Sequence, residues 1–247
     1  MTFAVTLVEK IDCWTNPIPF ENIHFCDDDV SLLIEQLNQN KGAFLLVSHL
    51  GDFEILRSLA NKGQIGVKRD NIPMVVFSDM DVSSNFTRVM DKLSSGYTLN
   101  LINVNNITPA TIEQIQHIID LGGVVVCAGD RLSKGGSGRI LTKKFLGKDA
   151  PFSYGPYFIA DLLAAPTYFV WGFRKGNLGS LRECEMHVIK AKSLVGGGRK
   201  EREKRVNDLC SEYVEHLQEF VQKYPYQWYN FFDFWMFPKS DGEENAN

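Results

Sequence analysis

The sequence predicts an α/β fold, in which a mixed, mostly parallel central sheet is covered by helices on both faces. Short apolar runs alternate along the chain with longer amphipathic stretches, as in folds that interleave strands and helices. The apolar runs are nearly continuous, so the strands are expected to be buried on both faces. With 247 residues, of which 44% are hydrophobic, we expect a single domain over residues 1–238, followed by a disordered acidic tail at 239–247.

The individual elements follow from local sequence. The helix at 108–121 has Thr108 as its cap and Pro109 at its first position, and the helix at 52–62 has Asp52 as its cap. The strands are bounded by polar residues and glycines. The predicted strands are 43–48, 73–77, 99–104, 123–128, 167–173 and 183–189. The predicted helices are 30–38, 52–62, 85–93, 108–121, 152–163 and 199–223.

Composition excludes several classes of function. Lys and Arg total 26 against 30 Asp and Glu, a net charge of -4, which argues against a dedicated nucleic-acid binder. Five scattered cysteines without a CxxC pair predict free thiols in a reducing cytosol, and no histidine pair has metal-ligand spacing, so no metal is expected. The sequence shows neither a secretory signal nor an apolar stretch of about 20 residues that would span a bilayer.

The segment that ends the first predicted strand carries a possible catalytic pair. His49 follows the strand, Gly51 permits a tight turn, and Glu54 falls in the first turn of the next helix. The two side chains can meet only if His49 lies in the loop before that helix. Glu54 would then hold one imidazole nitrogen while the other takes a proton from a hydroxyl. The alternative is an ordinary loop histidine and a glutamate that the helix dipole favours.

The same residues carry a family resemblance. SHLGDFE at 48–54 resembles the HX4(D/E) motif of the lysophospholipid/glycerolipid acyltransferase superfamily, and within it the bacterial lipid A biosynthesis (lauroyl/myristoyl) acyltransferase family. Further blocks are similar in order and spacing, and together they cover roughly residues 40 to 235. These blocks are 111–130, 135–147 with 155–156, 164–166 with the strand that follows, and 224–228.

The resemblance implies a glycerolipid acyltransferase-like fold and an O-acyltransferase. The family moves a fatty acyl group from acyl carrier protein (acyl-ACP) or acyl-CoA to a hydroxyl of a lipid or glycolipid, without a metal or other cofactor. In this chain His49 would be the general base and Glu54 its orienting partner. Backbone N–H groups near Gly51 would stabilise the oxyanion. The residues expected to bind substrate are Ser48, Gly51, Asp52, Arg88, Asp130 and Arg131.

Within the substrate-binding set, Asp130 and Arg131 have the clearest expected roles. Asp130 would accept hydrogen bonds from acceptor hydroxyls, and Arg131 would clamp a phosphate. The alternative is a surface turn with an ion pair. Arg88 is the nearest match to the family's middle arginine. The glycine-rich loop at 134–139 would line the cleft, or simply be flexible.

Other interpretations of the sequence stay open. Family members usually have an N-terminal membrane-anchoring helix that is not seen here, so we expect a cytoplasmic protein in peripheral contact with the inner membrane. A non-catalytic lipid-binding protein and a hydrolase with the same dyad are alternatives. Asp79 and Asp81 superficially resemble a phosphatase nucleophile loop. Residues 199–205 predict a solvated helix face with i,i+4 ion pairs, and the alternative is contact with anionic lipid head groups. The aromatic residues at 224–237 either complete the core or lie at a membrane interface.

Overall fold

The computed structural model describes residues 18–51, 67–69, 72–78, 100–132, 138–175, 183–228 and 230–238. Short 3₁₀ turns precede β1, precede α4 and follow α4. The strands are β1 Ile23–Phe25, β2 Ala43–Val47, β3 Met74–Ser78, β4 Asn100–Asn103, β5 Val124–Ala128, β6 Ile140–Phe145, β7 Lys148–Ser153, β8 Thr167–Lys175 and β9 Glu183–Lys190. The α-helices are α1 Asp29–Asn38, α2 Pro109–Asp120, α3 Gly155–Leu163 and α4 Arg202–Lys223.

Seven strands form one sheet in the order β1-β9-β8-β2-β5-β3-β4. The block from β8 to β4 is parallel throughout, and β9 joins it antiparallel to β8. β1 pairs in parallel with β9 at the edge. The predicted α/β fold with a mixed, mostly parallel sheet is therefore confirmed.

Each face of the sheet packs against helices, because successive side chains of a strand point to opposite faces. In β2, Phe44 and Leu46 belong to the hydrophobic cluster that contains residues of α2, α3 and α4. Leu45 and Val47 of the same strand belong to a second cluster, against which α1 packs. All five residues of β2 are buried. The continuous apolar run at 43–47 thus reflects burial on both sides.

Most predicted elements within the described residues are confirmed, with two shifts. Thr108 caps α2 as predicted, since its hydroxyl accepts a hydrogen bond from the Thr111 N–H at 3.2 Å. The helix predicted from residue 152 begins at Gly155, because Phe152 belongs to β7 and pairs with Leu141. The helix predicted from residue 199 begins with a 3₁₀ turn, and α4 itself starts at Arg202. The predicted helices at 52–62 and 85–93 lie outside the described residues, as does the tail at 239–247.

Sequence reasoning missed β1 and the β6–β7 hairpin. The hairpin turns at Leu146 and Gly147, whose φ angles are 49° and 83°. Two consecutive positive φ angles are what a two-residue type I′ turn requires, and a glycine at the second position favours it. Leu146-Gly147 was therefore the available sequence signal.

Among the helices of the described residues, none combines the length and the apolar character needed to cross a membrane.

Candidate active site

His49 and Asp130 lie beside each other at the carboxyl edge of the sheet. β2 and β5 are parallel neighbours whose last residues, Val47 and Ala128, are paired in register. His49 and Asp130 each come two residues after their strand ends. In the sheet, β2 and β5 are neighbours, with β8 beside β2 and β3 beside β5. The strand that follows β2 in the chain is β3, on the β5 side, and the strand of this sheet that follows β5 is β8, on the β2 side. The chain therefore leaves the two strands in opposite directions along the sheet. Such a switch in direction is where open α/β sheets bind ligands.

The carboxylate of Asp130 holds His49 through two hydrogen bonds. Oδ2 accepts from the backbone N–H of His49 at 2.8 Å, and Oδ1 lies 2.9 Å from the ring Nδ1. The Asp130 side chain is 2% exposed and that of His49 is 37% exposed. Burial raises the pKa of Asp130, but the charge and hydrogen bonds of His49 outweigh burial, so the pKa lies below its ordinary value. An ionised carboxylate only accepts hydrogen bonds, so Nδ1 carries the hydrogen and Nε2 is left to take a proton.

This geometry places Asp130 in the orienting position that the sequence assigned to Glu54. Both carboxylate oxygens of Asp130 accept hydrogen bonds from His49, which differs from the expected role as an acceptor ligand. Glu54 lies outside the described residues, as do Asp52 and Arg88. The described site therefore contains a His–Asp pair with the geometry of a base and its orienting carboxylate.

The side chain of Ser48 anchors the loop after β2 to the core. Ser48 is 2% exposed, and its hydroxyl accepts hydrogen bonds from the Leu50 N–H and from the Trp171 indole, both at 3.0 Å. Its hydroxyl thus points into the core and shapes the loop. The expected role of Ser48 in substrate binding has no support from these contacts.

Gly51 occupies a position that only glycine fits. Its φ is +77°, and a Cβ there would lie 2.1 Å from the Gly172 carbonyl oxygen. Its N–H donates to the Gln227 carbonyl at 2.8 Å, so this N–H is already engaged and cannot serve the expected oxyanion contact. The Gln227 side chain in turn bonds the backbone of Arg174, with distances of 3.0 and 3.1 Å. The segment at 225–228, which carries part of the resemblance, therefore fastens the His49 loop to β8.

Two buried tyrosines, which sequence reasoning did not single out, donate hydrogen bonds to backbone carbonyls next to the His49–Asp130 dyad. The Tyr213 hydroxyl donates to the Val47 carbonyl at 2.8 Å, and the Tyr157 hydroxyl donates to the Gly129 carbonyl at 3.0 Å. A Cβ on Gly129 would lie 2.8 Å from the Tyr213 ring. Burial raises the pKa of both phenols well above 10.0, so each stays a neutral donor. The nearest sequence signal is the spacing of Tyr213 on the apolar face of α4.

Arg131 lies directly after the dyad and contacts the carboxyl-terminal aromatic residues. Its guanidinium carbon is 4.5 Å from the ring centroid of Phe232. Burial lowers the pKa of Arg131, while the charge of Asp130 acts in the opposite direction. Arg131 thus presents a partly buried cation directly after Asp130. Its contact with an anionic group of a substrate stays a prediction.

The aromatic residues at 224–237 divide between core and surface. Phe234 is 4% exposed and packs on Phe145 and Trp228 with ring centroids 5.1 and 5.2 Å apart. Phe231 and Met236 are 71% and 65% exposed. The segment adjoins the site, because Trp228 forms a β-bridge with Leu50. The segment therefore completes part of the core through Phe234 and exposes apolar side chains at Phe231 and Met236. Contact of these side chains with a membrane stays a prediction.

The prediction of a solvated helix face at 199–205 is wrong for Arg205. This side chain is buried, and its Nε donates to Asp161 Oδ1 at 2.6 Å. Arg202 donates to the other oxygen of the same carboxylate at 3.1 Å. The arginines are drawn inward because Asp161, on α3, is itself 2% exposed and requires a counter-charge. Lys204 does form the expected i,i+4 pair, with Asp208.

Two sequence hypotheses cannot be placed. Asp79 and Asp81, which suggested a phosphatase loop, lie outside the described residues, as does most of the glycine-rich loop at 134–139. Arg139 at the end of that loop pairs with Glu203 of α4 at 2.8 Å.

Comparison with known proteins adds no assignment: no family model matches this chain, and no curated protein matches it.

Proposed function

We propose that this protein is an O-acyltransferase, which moves a fatty acyl group from an acyl-ACP or acyl-CoA thioester to a hydroxyl of a lipid or glycolipid. The observation that carries the proposal is the 2.9 Å contact between the His49 ring and the buried carboxylate of Asp130 at the carboxyl edge of the sheet. A partly exposed imidazole on a buried carboxylate is the base and orienter of a catalytic triad. Within the described residues, the hydrogen bond of the His49 ring is to Asp130 and not to a serine, threonine or cysteine side chain. We propose that a hydroxyl of the substrate is the nucleophile.

In the proposed step, Nε2 of His49 accepts the proton of the acceptor hydroxyl. The oxygen forms a bond to the thioester carbon, and the C–S bond then breaks. The imidazolium returns the proton to the leaving thiolate, so that the products are an ester and a free thiol. Asp130 stabilises the imidazolium throughout, because its carboxylate stays ionised beside it.

The surroundings of the dyad favour an amphipathic substrate. Arg131 offers a cation for a phosphate or carboxylate of the acceptor or of the thioester carrier. The exposed apolar side chains of Phe231 and Met236 suit an acyl chain or the surface of a bilayer. The resemblance of 48–54 to the lipid A biosynthesis acyltransferase motif points to the same class of substrate. We therefore expect a cytoplasmic protein that contacts the inner membrane peripherally.

The direct test is thiol release from acyl-ACP and acyl-CoA, with and without lipid or glycolipid acceptors, followed by mass spectrometry of the product. We expect release that depends on acceptor and that His49→Gln reduces by several orders of magnitude. His117→Gln is a matched control, since His117 is exposed on α2. Equal activity of the wild type and His49→Gln would overturn the mechanism.

The same assay separates the alternatives. Release without acceptor that His49→Gln abolishes would indicate a hydrolase. Binding of lipid without any release, unchanged in His49→Gln, would indicate a non-catalytic lipid-binding protein. Glu54→Gln tests the carboxylate of the motif. Because Asp130 engages Nδ1 of His49, we expect Glu54→Gln to cost less activity than Asp130→Asn.

A further inference from the structure

Three side chains that can bind a metal converge at the edge of the sheet formed by β1 and β9. Glu185 and His187 are alternate residues of β9 and therefore share a face. Cys26 directly follows β1, and its N–H donates to the Met186 carbonyl at 3.0 Å, which places it beside them. One ligand atom each from Cys26, Glu185 and His187 lies within 4.8 Å of the others.

His187 is the member of this cluster that points most clearly to a ligand. It is 7% exposed, and its ring lies 4.6 Å from that of Phe220 and 5.9 Å from that of Phe173. Nδ1 contacts Asp27 Oδ2 at 2.8 Å, whereas the buried Nε2 has no hydrogen-bond partner in the described part of the chain. An imidazole that donates from Nδ1 to a carboxylate has its lone pair on Nε2, as metal-binding histidines do.

Glu185 supplies a fixed anionic oxygen. Its Oε2 accepts a hydrogen bond from the Tyr224 hydroxyl at 2.5 Å, and the Tyr224 ring stacks on Phe173 with centroids 3.9 Å apart. Lys175 Nζ is 3.8 Å from the other oxygen and is half exposed, so it can move aside.

Cys26 is exposed, so an ion can reach the cluster from solvent. Its thiol donates to the His24 carbonyl over a long 3.7 Å contact. A metal ion would displace that hydrogen, as ligation by cysteine requires.

We propose that Cys26, Glu185 and His187 bind a divalent transition-metal ion of the zinc type. Asp27 orients the imidazole of His187 by accepting a hydrogen bond from Nδ1. A mixed sulfur, nitrogen and oxygen set suits zinc and its neighbours, whereas magnesium and calcium take oxygen ligands. Three protein ligands leave the fourth tetrahedral position to water. Zinc bonds of about 2.0–2.3 Å require the three ligand atoms to draw somewhat closer on binding.

Sequence spacing does not reveal this cluster, because Asp27 and His187 are 160 residues apart in the chain. The expectation of no metal rested on the lack of a histidine pair with metal-ligand spacing in the sequence. The cluster is independent of the proposed acyl transfer, since β8 separates β9 from β2, the strand that delivers His49.

The experiment titrates the metal-free full chain with Zn²⁺ by calorimetry and with Co²⁺ by absorption. We expect one equivalent to bind, with a thiolate-to-cobalt charge-transfer band in the near ultraviolet and tetrahedral cobalt bands in the visible. Cys26→Ser should remove the charge-transfer band, and His187→Gln should abolish stoichiometric binding. Asp27→Asn should weaken affinity about 10–100-fold. Circular dichroism verifies that each variant is folded.

Two matched controls address adventitious binding. Cys184→Ala removes a cysteine of β9 that belongs to the cluster on the opposite face, and His117→Ala removes an exposed histidine; neither should change the titration. Absence of stoichiometric Zn²⁺ binding by the folded wild type would overturn the proposal. Binding that survives unchanged in both Cys26→Ser and His187→Gln would overturn it too. Neither result bears on thiol release by the His49 site.

Discussion

Asp130 and His49 are 81 residues apart in the chain, yet one carboxylate accepts hydrogen bonds from both the backbone and the ring of His49. The backbone contact fixes the loop, and the ring contact fixes the orientation and tautomer of the imidazole. The arrangement arises because β2 and β5 are paired in register, so that the second residue beyond each strand meets its counterpart.

Asp130→Asn should reduce kcat about 10⁴-fold with little change in KM for the thioester, the scale found when the aspartate of a serine protease triad is changed in this way. The amide can place its NH₂ against Nδ1, which would force the proton onto Nε2 and leave no base. Steady-state kinetics of thiol release measure the effect. Asp120→Asn is the control, because that exposed carboxylate accepts a hydrogen bond from Gln116 on the helix surface, away from His49. Comparable kcat values for the two variants would contradict the assigned role.

The lowered pKa of Asp130 also predicts how acid destabilises the fold. The ordinary pKa is 3.8 and the folded value is lower, so the unfolded chain binds the proton first as the pH falls. The stabilisation is therefore present above about pH 4 and is lost as the pH falls through the folded value. Urea unfolding at a series of pH values should give a steeper acid loss for the wild type than for Asp130→Asn. Parallel curves for the two proteins would contradict this prediction.

The fold class was predictable because β2 and β5 are continuous apolar runs, which only a sheet covered on both faces accommodates. His49 was predictable because it follows such a run. The contact with Asp130 was not predictable, because strand order alone decides that Asp130 lies beside His49. The role of Glu54, five residues after His49, stays a prediction. The prediction for Arg205 was wrong for a similar reason. The local charge pattern predicts a solvent-exposed side chain, and only the packing of α3 on α4 places the Asp161 carboxylate against Arg205.

Gly51→Ala should be more damaging than Gly147→Ala, although both glycines have positive φ angles, 77° and 83°. A Cβ at Gly147 meets nothing within 4 Å, so only the backbone penalty of about 1–2 kcal/mol applies. A Cβ at Gly51 would also collide with the Gly172 carbonyl, which raises the expected cost to roughly 3 kcal/mol or more. Urea unfolding compares the two variants. Equal losses of unfolding free energy in the two variants would mean that the His49 loop shifts to accommodate the added methyl group at little cost.

Tyr213→Phe should lower activity more than stability, because Tyr213 acts as a positioning residue. The Val47 carbonyl accepts from both the Tyr213 hydroxyl and the Gly129 N–H, at 2.8 and 2.9 Å, and so ties the ends of β2 and β5 together. Loss of the hydroxyl should cost about 1 kcal/mol in unfolding free energy. The freed loops should lower kcat roughly tenfold with KM unchanged, since small displacements of catalytic groups are costly. Tyr154→Phe, which removes a surface hydroxyl bonded to Glu203, should leave kcat unchanged. If Tyr213→Phe loses stability but keeps its full kcat and pH profile, the hydroxyl stabilises the fold without positioning the dyad.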